Sequence, residues 1–375
     1  MNALTSAHQL VPISSPAMRA FRVTRIVNES SIIKSFWLKP QSEETLNFVP
    51  GEYLVFEVPA GPNGETLKRE YSISGSTDEQ LRVSIKLEES PNGTTYPDGL
   101  VSTYFHKSLK ENDVVCAFGP TGKFLLDRNS DRPVVLLSGG VGQTPLIAMA
   151  HDLAQRGTCQ TQIIHACENG EVHALRDELV ALCEAADNLD VHFVYRTPTQ
   201  NDKTNKRFDS EGVVTKALLQ TLLPVDDYTF YLCGPGPFMQ AMFELLLELG
   251  IAEERINYEF FGPATVLKRS GTNATQSETK RDSVMATSND TQPIVKFGKS
   301  GIEVAWDPSL ENLLDFAEEH GLMPDFSCRA GTCDSCKTKL LSGETEYISE
   351  PMERPAGDDI LICCSAPTKN ITLDL

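Results

Sequence analysis

Cysteines near the carboxyl end of the chain have the spacing of a metal centre. Cys328, Cys333 and Cys336 lie in CRAGTCDSC, and Cys363 and Cys364 follow in ILICCSAP. Thiolates spaced C-x4-C-x2-C suit a [2Fe–2S] cluster, whereas zinc ribbons generally use two CxxC pairs. The spacing therefore favours an iron–sulfur cluster over structural zinc and over inert buried thiols. The fourth ligand is Cys363 or Cys364.

Small residues inside the cysteine loop support the same interpretation. Ala330 and Gly331 stand between the first two cysteines. A loop around a cluster must bring backbone N–H groups toward the sulfur atoms, and a bulky side chain would block that approach. We therefore expect this loop to donate N–H groups to the cluster.

Two further motifs suit a cofactor that carries phosphates and a planar ring. In REYS, Arg69 can reach a phosphate and Tyr71 can stack beside a ring. In GLVSTYFHKSL, Gly99 and Ser102 stand at a predicted helix start, where free N–H groups favour an anion. Each of these residues, taken singly, is explained equally well without a cofactor, as a surface arginine, a core tyrosine or an ordinary N-cap.

Two glycine-rich turns suit a dinucleotide. SGGVGQTP follows the apolar run VVLLS and opens a helix, so the backbone can approach a pyrophosphate there. It is not the GxGxxG fingerprint of a simple dehydrogenase. YLCGPGPFM places a second turn at the end of another predicted strand, where a buried structural thiol is the alternative for its cysteine. The candidate residues are Gly139, Gly140, Val141, Gly142, Gln143, Thr144, Cys233, Gly234 and Pro235.

The elements that position these residues fall into three groups. Short alternating runs such as FRVTRIV and YLVFEV predict an antiparallel β-barrel, and from Arg132 strands alternate with helices, as in a doubly wound parallel sheet. The carboxyl-terminal part predicts a small mixed domain, with strands at PIVKFG, GIEVAW, ILICC and NITLDL and a helix near 309–320. We therefore predict a multidomain α+β and α/β chain with domains at 18–130, 131–267 and 293–375, joined by a flexible Ser/Thr/Asn-rich linker at 268–292.

Composition narrows the range of partners. The 375 residues carry a formal net charge of −19, which argues against nucleic acid as a partner because phosphate backbones require clustered Lys and Arg. No apolar run is long enough to span a membrane, and ten cysteines in a chain of this length indicate a reducing compartment. We expect a soluble, cytoplasmic protein.

The motifs in their order resemble two known families. RxYS, GxxS, GGVGxTP and YxCGP are similar to the ferredoxin–NADP reductase superfamily, and PGEYL, ACENGEVHAL, RFDSEG and YEFFGPATVL are most similar to the reductase half of flavohaemoglobins. That likeness covers residues 20–267. The cysteine motif resembles plant-type ferredoxins over 294–375, which implies a β-grasp fold with Cys363 as the last ligand and Cys364 in reserve. No globin precedes Ala20, so haem-based nitric oxide chemistry is not expected.

The resemblance also implies roles for individual residues. It implies that Glu259 tunes the flavin and that Phe261 covers the ring until nicotinamide displaces it. Ser72, Cys233 and Glu259 would be the catalytic residues. The residues expected to contact FAD are Tyr53, Arg69, Glu70, Tyr71, Ser72, Phe260, Phe261, Gly262 and Pro263, with Gly99 and Ser102 at the helix start.

These expectations combine into an electron relay. A flavin can take two electrons from a nicotinamide and release them singly to a cluster, so the chain is predicted to carry electrons from NADH through FAD and [2Fe–2S] to an electron-accepting protein. That partner would be an oxygenase component or another metalloenzyme. NADH is favoured over NADPH because acids precede Arg176 in HACENGEVHALRDEL. The alternatives are a flavin reductase with small-molecule acceptors and a non-catalytic carrier with a decayed flavin module.

Overall fold

A computed structural model describes most of the three predicted domains. It covers residues 18–42, 47–61, 64–90, 98–260, 292–308, 310, 312–322, 324, 326, 331, 334, 336–351 and 354–375. Of the predicted site residues, Phe261, Gly262, Pro263, Cys328 and Cys333 lie outside these ranges, as does nearly all of the predicted linker.

The amino-terminal part is a closed antiparallel barrel, as predicted. Large apolar side chains fill its interior, including the fully buried Phe21, Phe36 and Phe56, and each contributes about 1.5–3 kcal/mol when removed from water. A short helix, α1 (Leu100–Thr103), continues as one π-helical turn at Tyr104–Ser108 and packs Phe105 into the same core. The strand order is β1-β2-β5-β4-β3-β6, with β1 (Arg19–Asn28), β2 (Ile33–Pro40), β3 (Tyr53–Val58), β4 (Leu67–Thr77), β5 (Gln80–Lys86) and β6 (Val114–Thr121).

The middle part is a six-stranded parallel sheet. Its order is β10-β9-β8-β7-β11-β12, with β7 (Val134–Gly139), β8 (Thr161–Cys167), β9 (Leu189–Tyr195), β10 (Ser210–Glu211), β11 (Thr229–Gly234) and β12 (Ile256–Phe260). The helices are α2 (Gln143–Arg156), α3 (Arg176–Ala185), α4 (Gln200–Thr204), α5 (Lys216–Leu222) and α6 (Gly236–Glu248).

Alternate residues of the central strand β7 show that both faces of this sheet are covered. Val134 and Leu136 pack with residues of α2 and α3, whereas Val135 and Leu137 pack with residues of α5 and α6. The predicted doubly wound arrangement is therefore confirmed. The strand order reverses between β7 and β11, and ligands of such sheets bind beyond the carboxyl ends of the strands at this point.

The carboxyl-terminal part is a small mixed domain of the β-grasp type. Five strands form one sheet in the order β14-β13-β19-β15-β17, two more form a separate pair, and helix α7 (Leu313–Glu319) packs Phe316 against Phe297 and Trp306. Its strands are β13 (Ile294–Phe297), β14 (Glu303–Ala305), β15 (Lys337–Ser342), β16 (Thr345–Tyr347), β17 (Asp359–Leu361), β18 (Ser365–Pro367) and β19 (Ile371–Leu373).

Two of the predicted elements in this domain are shorter than expected. Helix α7 begins at Leu313 because the Asn312 side chain caps it, accepting a hydrogen bond from the Asp315 N–H at 3.0 Å. The predicted strand ILICC ends at Leu361, and Ile362–Cys364 form a 3₁₀ turn. The cysteine pair therefore lies on a turn and not on a strand.

A charged network joins the barrel to the parallel-sheet domain. Arg82 of β5 is buried and donates to both carboxylate oxygens of Glu178 on α3, at 2.5 and 2.8 Å, while His151 of α2 lies 2.7 Å from the same carboxylate. Burial would raise the pKa of Glu178, but the hydrogen bonds from His151 and Arg82 lower it to about 2. This paired charge fixes the barrel against α2 and α3. Within the described ranges, no helix has the length and apolar character needed to cross a membrane.

Candidate functional site

Two glycine turns pack back to back at the carboxyl edge of β7 and β11. A Cβ added at Gly142 would lie 2.2 Å from the carbonyl oxygen of Cys233, and one at Gly139 would lie 2.8 Å from the ring of Phe238 on α6. Gly140 has a φ of +52°, a left-handed backbone conformation that glycine adopts without strain. The first turn therefore needs glycine for its close packing against the second turn and α6.

The first turn of α2 offers a hydrogen-bond donor at this sheet edge. Gln143 is buried, and within the described part of the chain its Nε2 has no hydrogen-bond partner. A buried donor without an acceptor costs about 1–3 kcal/mol, which a ligand oxygen would recover. Thr144 beside it is buried as well, and Val141 is half-buried. These residues fit a phosphate-bearing dinucleotide at the start of α2.

The three predicted catalytic residues come together beside this edge. Cys233 of β11 is the sheet neighbour of Glu259 on β12, and the hydroxyl of Ser72, from barrel strand β4, donates to Glu259 Oε2 at 3.5 Å. Burial raises the pKa of the Cys233 thiol well above its usual value, so Cys233 presents a neutral S–H group. Gly234 is buried, Pro235 is exposed at the start of α6, and Phe260 ends β12 beside Tyr258.

Glu259 is the titratable group of this set. Burial raises its pKa to about 8, the Ser72 hydroxyl opposes that rise by stabilising the carboxylate, and the negative charge of Glu70 adds to it. The side chain is therefore mainly neutral at pH 7. It can donate a hydrogen bond in that state, and above pH 8 it becomes an anion at the junction of the two domains.

This titration predicts a pH dependence. We expect the rate of flavin reduction by NADH to fall as pH rises through about 8, because an ionised Glu259 opposes the arrival of negative charge beside it. In Glu259→Gln the rate should be flat across that range. Ser72→Ala removes the hydrogen bond that lowers the pKa, so its inflection should move to higher pH. Stopped-flow flavin absorbance between pH 6 and 10 measures the rate for the unaltered protein and for both variants. If Glu259→Gln keeps the same inflection, the inflection belongs to another titratable group.

The other predicted flavin residues lie along β3 and β4. Tyr53 is the cross-strand neighbour of Ser72, and the half-buried Glu70 pairs with Val55. Arg69 is exposed and donates to the Lys68 carbonyl at 2.8 Å, whereas Tyr71 is half-buried and meets Phe105 edge to face at 5.5 Å. An exposed guanidinium and a partly covered aromatic ring on one strand fit the phosphate and ring of a flavin.

The predicted helix start contains one residue that the sequence did not single out. The Ser102 hydroxyl donates to the Gly99 carbonyl at 2.9 Å and accepts from the Glu88 N–H at 3.1 Å, so it ties the start of α1 to the end of β5. The next side chain, Thr103, has a buried Oγ1 without a hydrogen-bond partner among the described residues. Thr103 is therefore the better side-chain candidate for a flavin oxygen, whereas Ser102 can contribute through its backbone.

The cysteine turn fits an iron–sulfur cluster. Cys336, Cys363 and Cys364 are buried together, and the Gly331 N–H donates to Cys363 Sγ at 3.3 Å. Gly331 has a φ of +69°, and a Cβ there would lie 2.9 Å from Cys364 Sγ, so glycine is needed for this approach. The Cys364 thiol instead donates to the Leu361 carbonyl at 3.4 Å. These hydrogen bonds favour Cys363 as the thiolate ligand, with Cys364 as a core thiol.

A contact joins the cysteine loop to the barrel. Lys68 Nζ lies 3.2 Å from Asp334 Oδ2, and Asp334 stands between two of the predicted cluster ligands, Cys333 and Cys336. The same ammonium lies 3.4 Å from Glu57 on β3, and the Lys68 side chain is mostly buried. The sequence did not reveal this contact, because 266 positions separate the two residues.

Comparison with known families finds three domain matches along the chain. Residues 20–125 match an oxidoreductase FAD-binding domain, 136–244 an oxidoreductase NAD-binding domain, and 295–368 a 2Fe-2S iron-sulfur cluster binding domain. The chain is thus an NAD(P)H oxidoreductase whose cofactors are FAD, a nicotinamide dinucleotide and a [2Fe–2S] cluster.

Individual relatives narrow the class. The chain is 38% identical over 256 residues to a flavohemoprotein of Bacillus thuringiensis subsp. konkukian, an alignment that covers 67% of this chain and 62% of the relative. The FAD/NAD-binding domain of a nitric oxide dioxygenase from Vibrio cholerae is 34% identical, with a TM-score of 0.57 over 65% of this chain and 99% of that domain. The chain belongs to the ferredoxin–NADP reductase superfamily, with a flavohaemoglobin-like reductase module followed by a ferredoxin domain.

A further solved structure shares the whole architecture. Phthalate dioxygenase reductase has a TM-score of 0.53 at 23% identity, over 96% of this chain and 98% of its own, a likeness of fold. The chain spans less than two thirds of the length of the curated flavohemoproteins that it matches.

Proposed function

We propose that this chain passes electrons from NADH through FAD to its [2Fe–2S] cluster and then to an electron-accepting protein, such as an oxygenase component. The observation that carries the proposal is that one barrel strand touches both neighbouring domains. On β4, Ser72 contacts Glu259 of the nicotinamide-binding domain, and Lys68, four residues earlier, contacts Asp334 of the cysteine loop. These two contacts support a flavin held along β4, between the nicotinamide-binding domain and the cysteine loop.

The residues of the chain position and insulate this transfer. When bound, the flavin supplies the step from a two-electron hydride donor to a one-electron cluster. The glycine turns at Gly139 and Gly142 let a dinucleotide lie against the backbone, and the Gln143 amide offers it a donor. Ser72 and Glu259 hold a proton between the barrel and the sheet, while Cys233 places a neutral thiol at the strand end.

NADH is the proposed donor because two of the arginines beyond β8 are paired with an acid. Arg176 lies 3.1 Å from Asp177, and Arg207 lies 3.8 Å from the same carboxylate. Such pairing competes with a 2′-phosphate. We expect kcat/KM for NADH to exceed that for NADPH by at least about tenfold. Arg196 is an exposed arginine just past β9. If the protein prefers NADPH and Arg196→Ala loses that preference, the choice of NADH is wrong.

The ferredoxin domain supplies the proposed contact surface for the partner. Residues 294–375 contain 15 Asp and Glu against 7 Lys and Arg, so this part of the chain is strongly acidic. An acidic surface speeds encounter with a basic patch on a partner protein, and the effect weakens with salt. We therefore propose an acceptor with a basic face around its own redox centre.

A charge reversal at Lys68 tests the relay. Lys68→Glu would replace an ion pair with three neighbouring carboxylates, and their repulsion should weaken the docking of the cysteine loop. We therefore expect reduction of cytochrome c, a one-electron protein acceptor, to slow about fivefold. The double variant Lys68→Glu/Asp334→Lys should regain most of the rate. Reduction of ferricyanide, which takes electrons directly from flavins, should stay unchanged in both variants.

Lys86→Glu provides a matched control. Lys86 is another barrel lysine, it pairs with Glu88 at 2.9 Å, and its reversal changes the net charge equally. A loss of cytochrome c reduction as large as in Lys68→Glu would point to net charge, not to the Lys68–Asp334 contact. A flavin reductase that uses only small acceptors would show the same activity in every variant, because no electron would pass through the cluster.

A further inference from the structure

Three potential metal ligands lie together at the carboxyl end of β8, apart from the cysteine loop. They are His165, Cys167 and His173, and one donor atom from each lies within 4.8 Å of the other two. His165 and Cys167 are two positions apart on β8 and so project to the same face of the sheet. His173 comes from the turn before α3, and its ring centroid lies 4.4 Å from that of His165.

Hydrogen bonds orient both imidazoles through the same ring nitrogen. His165 Nδ1 lies 2.8 Å from the Ser138 hydroxyl, and His173 Nδ1 lies 2.8 Å from the Tyr195 hydroxyl. A hydroxyl partner at Nδ1 can fix the proton there and leave the Nε2 lone pair for a metal, as the outer partners of metal-binding histidines commonly do. Both rings are buried, and burial lowers the pKa of each, so they are neutral at pH 7.

The Nε2 atom of His173 is a buried polar atom that needs a hydrogen-bond partner or a ligand. His173 is almost fully buried, and within the described ranges its Nε2 has no hydrogen-bond partner. A stacked pair of core histidines would leave this atom unsatisfied at a cost of about 1–3 kcal/mol. A cation bound at this position would use the lone pair. The atom therefore points to a ligand, independently of the grouping of the three residues.

We propose that His165, Cys167 and His173 bind one Zn²⁺ ion. Zinc takes imidazole nitrogen and thiolate sulfur in tetrahedral sites, and three protein ligands leave the fourth position for water. On binding, the zinc–sulfur bond replaces the S–H bond of Cys167, and the proton leaves to solvent. The two histidines release none, since they are already neutral.

Small movements are enough to complete the site. Donor atoms around one zinc ion lie about 3.5 Å apart, so the three side chains must close by about 1 Å. Cys167 is the last residue of β8 and is half-buried, and among the described residues its thiol makes one long contact, 3.5 Å, to the Asn169 carbonyl. It can therefore turn toward the imidazoles, and its partial exposure gives the metal a path from solvent.

X-ray absorption at the zinc edge tests the proposal on the full holoprotein, because flavin and iron do not interfere. Iron analysis first confirms a loaded cluster, so that its cysteines are occupied. After addition of one equivalent of Zn²⁺, we expect one sulfur and two imidazole neighbours per zinc. Calorimetry in two buffers should show about one proton released per zinc bound. In Cys167→Ala the sulfur neighbour should vanish, and in both Cys167→Ala and His173→Gln zinc affinity should fall at least about tenfold.

Cys183→Ala is the matched control, since Cys183 is a half-exposed thiol on α3 of the same domain and lies outside the cluster of three. It should bind zinc like the unaltered protein. The proposal is overturned if the holoprotein binds zinc no more tightly than Cys167→Ala does, or if the sulfur neighbour persists in that variant. It is also overturned if zinc is surrounded by oxygen alone. Two ligand variants are used so that misfolding of one does not decide the result.

Discussion

Cys336→Ser is expected to lose the [2Fe–2S] cluster and, with it, reduction of cytochrome c by NADH. Cys336 is buried beside Cys363 in the core of the ferredoxin domain, and serine offers a harder, less readily ionised ligand than cysteine. We expect iron content and cytochrome c reduction to fall at least about tenfold. Ferricyanide reduction should survive, because it needs only the barrel and the parallel-sheet domain, and it reports that both remain folded.

The neighbouring cysteines make this experiment sharper. Cys363→Ser should behave like Cys336→Ser, because Cys363 Sγ accepts the Gly331 N–H as a cluster ligand does. Cys364→Ser should keep the cluster, since that thiol donates to the Leu361 carbonyl and a hydroxyl can do the same. Loss of iron in Cys364→Ser with retention in Cys363→Ser would reverse the assignment. Cytochrome c reduction that persists after loss of iron would remove the cluster from the relay.

Local patterns predicted those features that depend on neighbours in the sequence. The alternation of VVLLS-type strands with amphipathic helices predicted the doubly wound sheet, because each strand must be covered on both faces. The turn at Ile362–Cys364 was missed because an apolar run of this length has the same composition in a buried strand and in a buried turn.

Contacts between distant residues escaped prediction for a different reason. Lys68 and Asp334 look like ordinary surface charges in the sequence, as do Arg82 and Glu178, and only the fold reveals each as a partner across a domain boundary. The choice between Cys363 and Cys364 depends likewise on a backbone N–H that Gly331 brings from 32 residues away. Spacing identifies which residue types are available, whereas the tertiary fold determines which atoms meet.

A substitution in the glycine turns is the other change from which we expect a large effect on NADH turnover. We expect Gly142→Ala to lower kcat/KM for NADH about 100-fold, because its methyl group would lie 2.2 Å from the Cys233 carbonyl and must push the two turns apart. A displacement of about 1 Å at a positioning element costs a reaction about that factor. The overlap is with backbone, so no side-chain rotation relieves it.

Gly157→Ala is the control for Gly142→Ala, because Gly157 caps the other end of α2 with a φ of +61° and open space around it. Alanine at Gly157 should cost about 1–2 kcal/mol of unfolding free energy through backbone strain while leaving kcat/KM for NADH unchanged. If both variants lose activity in proportion to stability, the glycine at 142 serves packing of α2 alone. Loss of NADH turnover in Gly142→Ala at near-normal stability instead makes the contact between the two turns the element that positions the nicotinamide over the flavin.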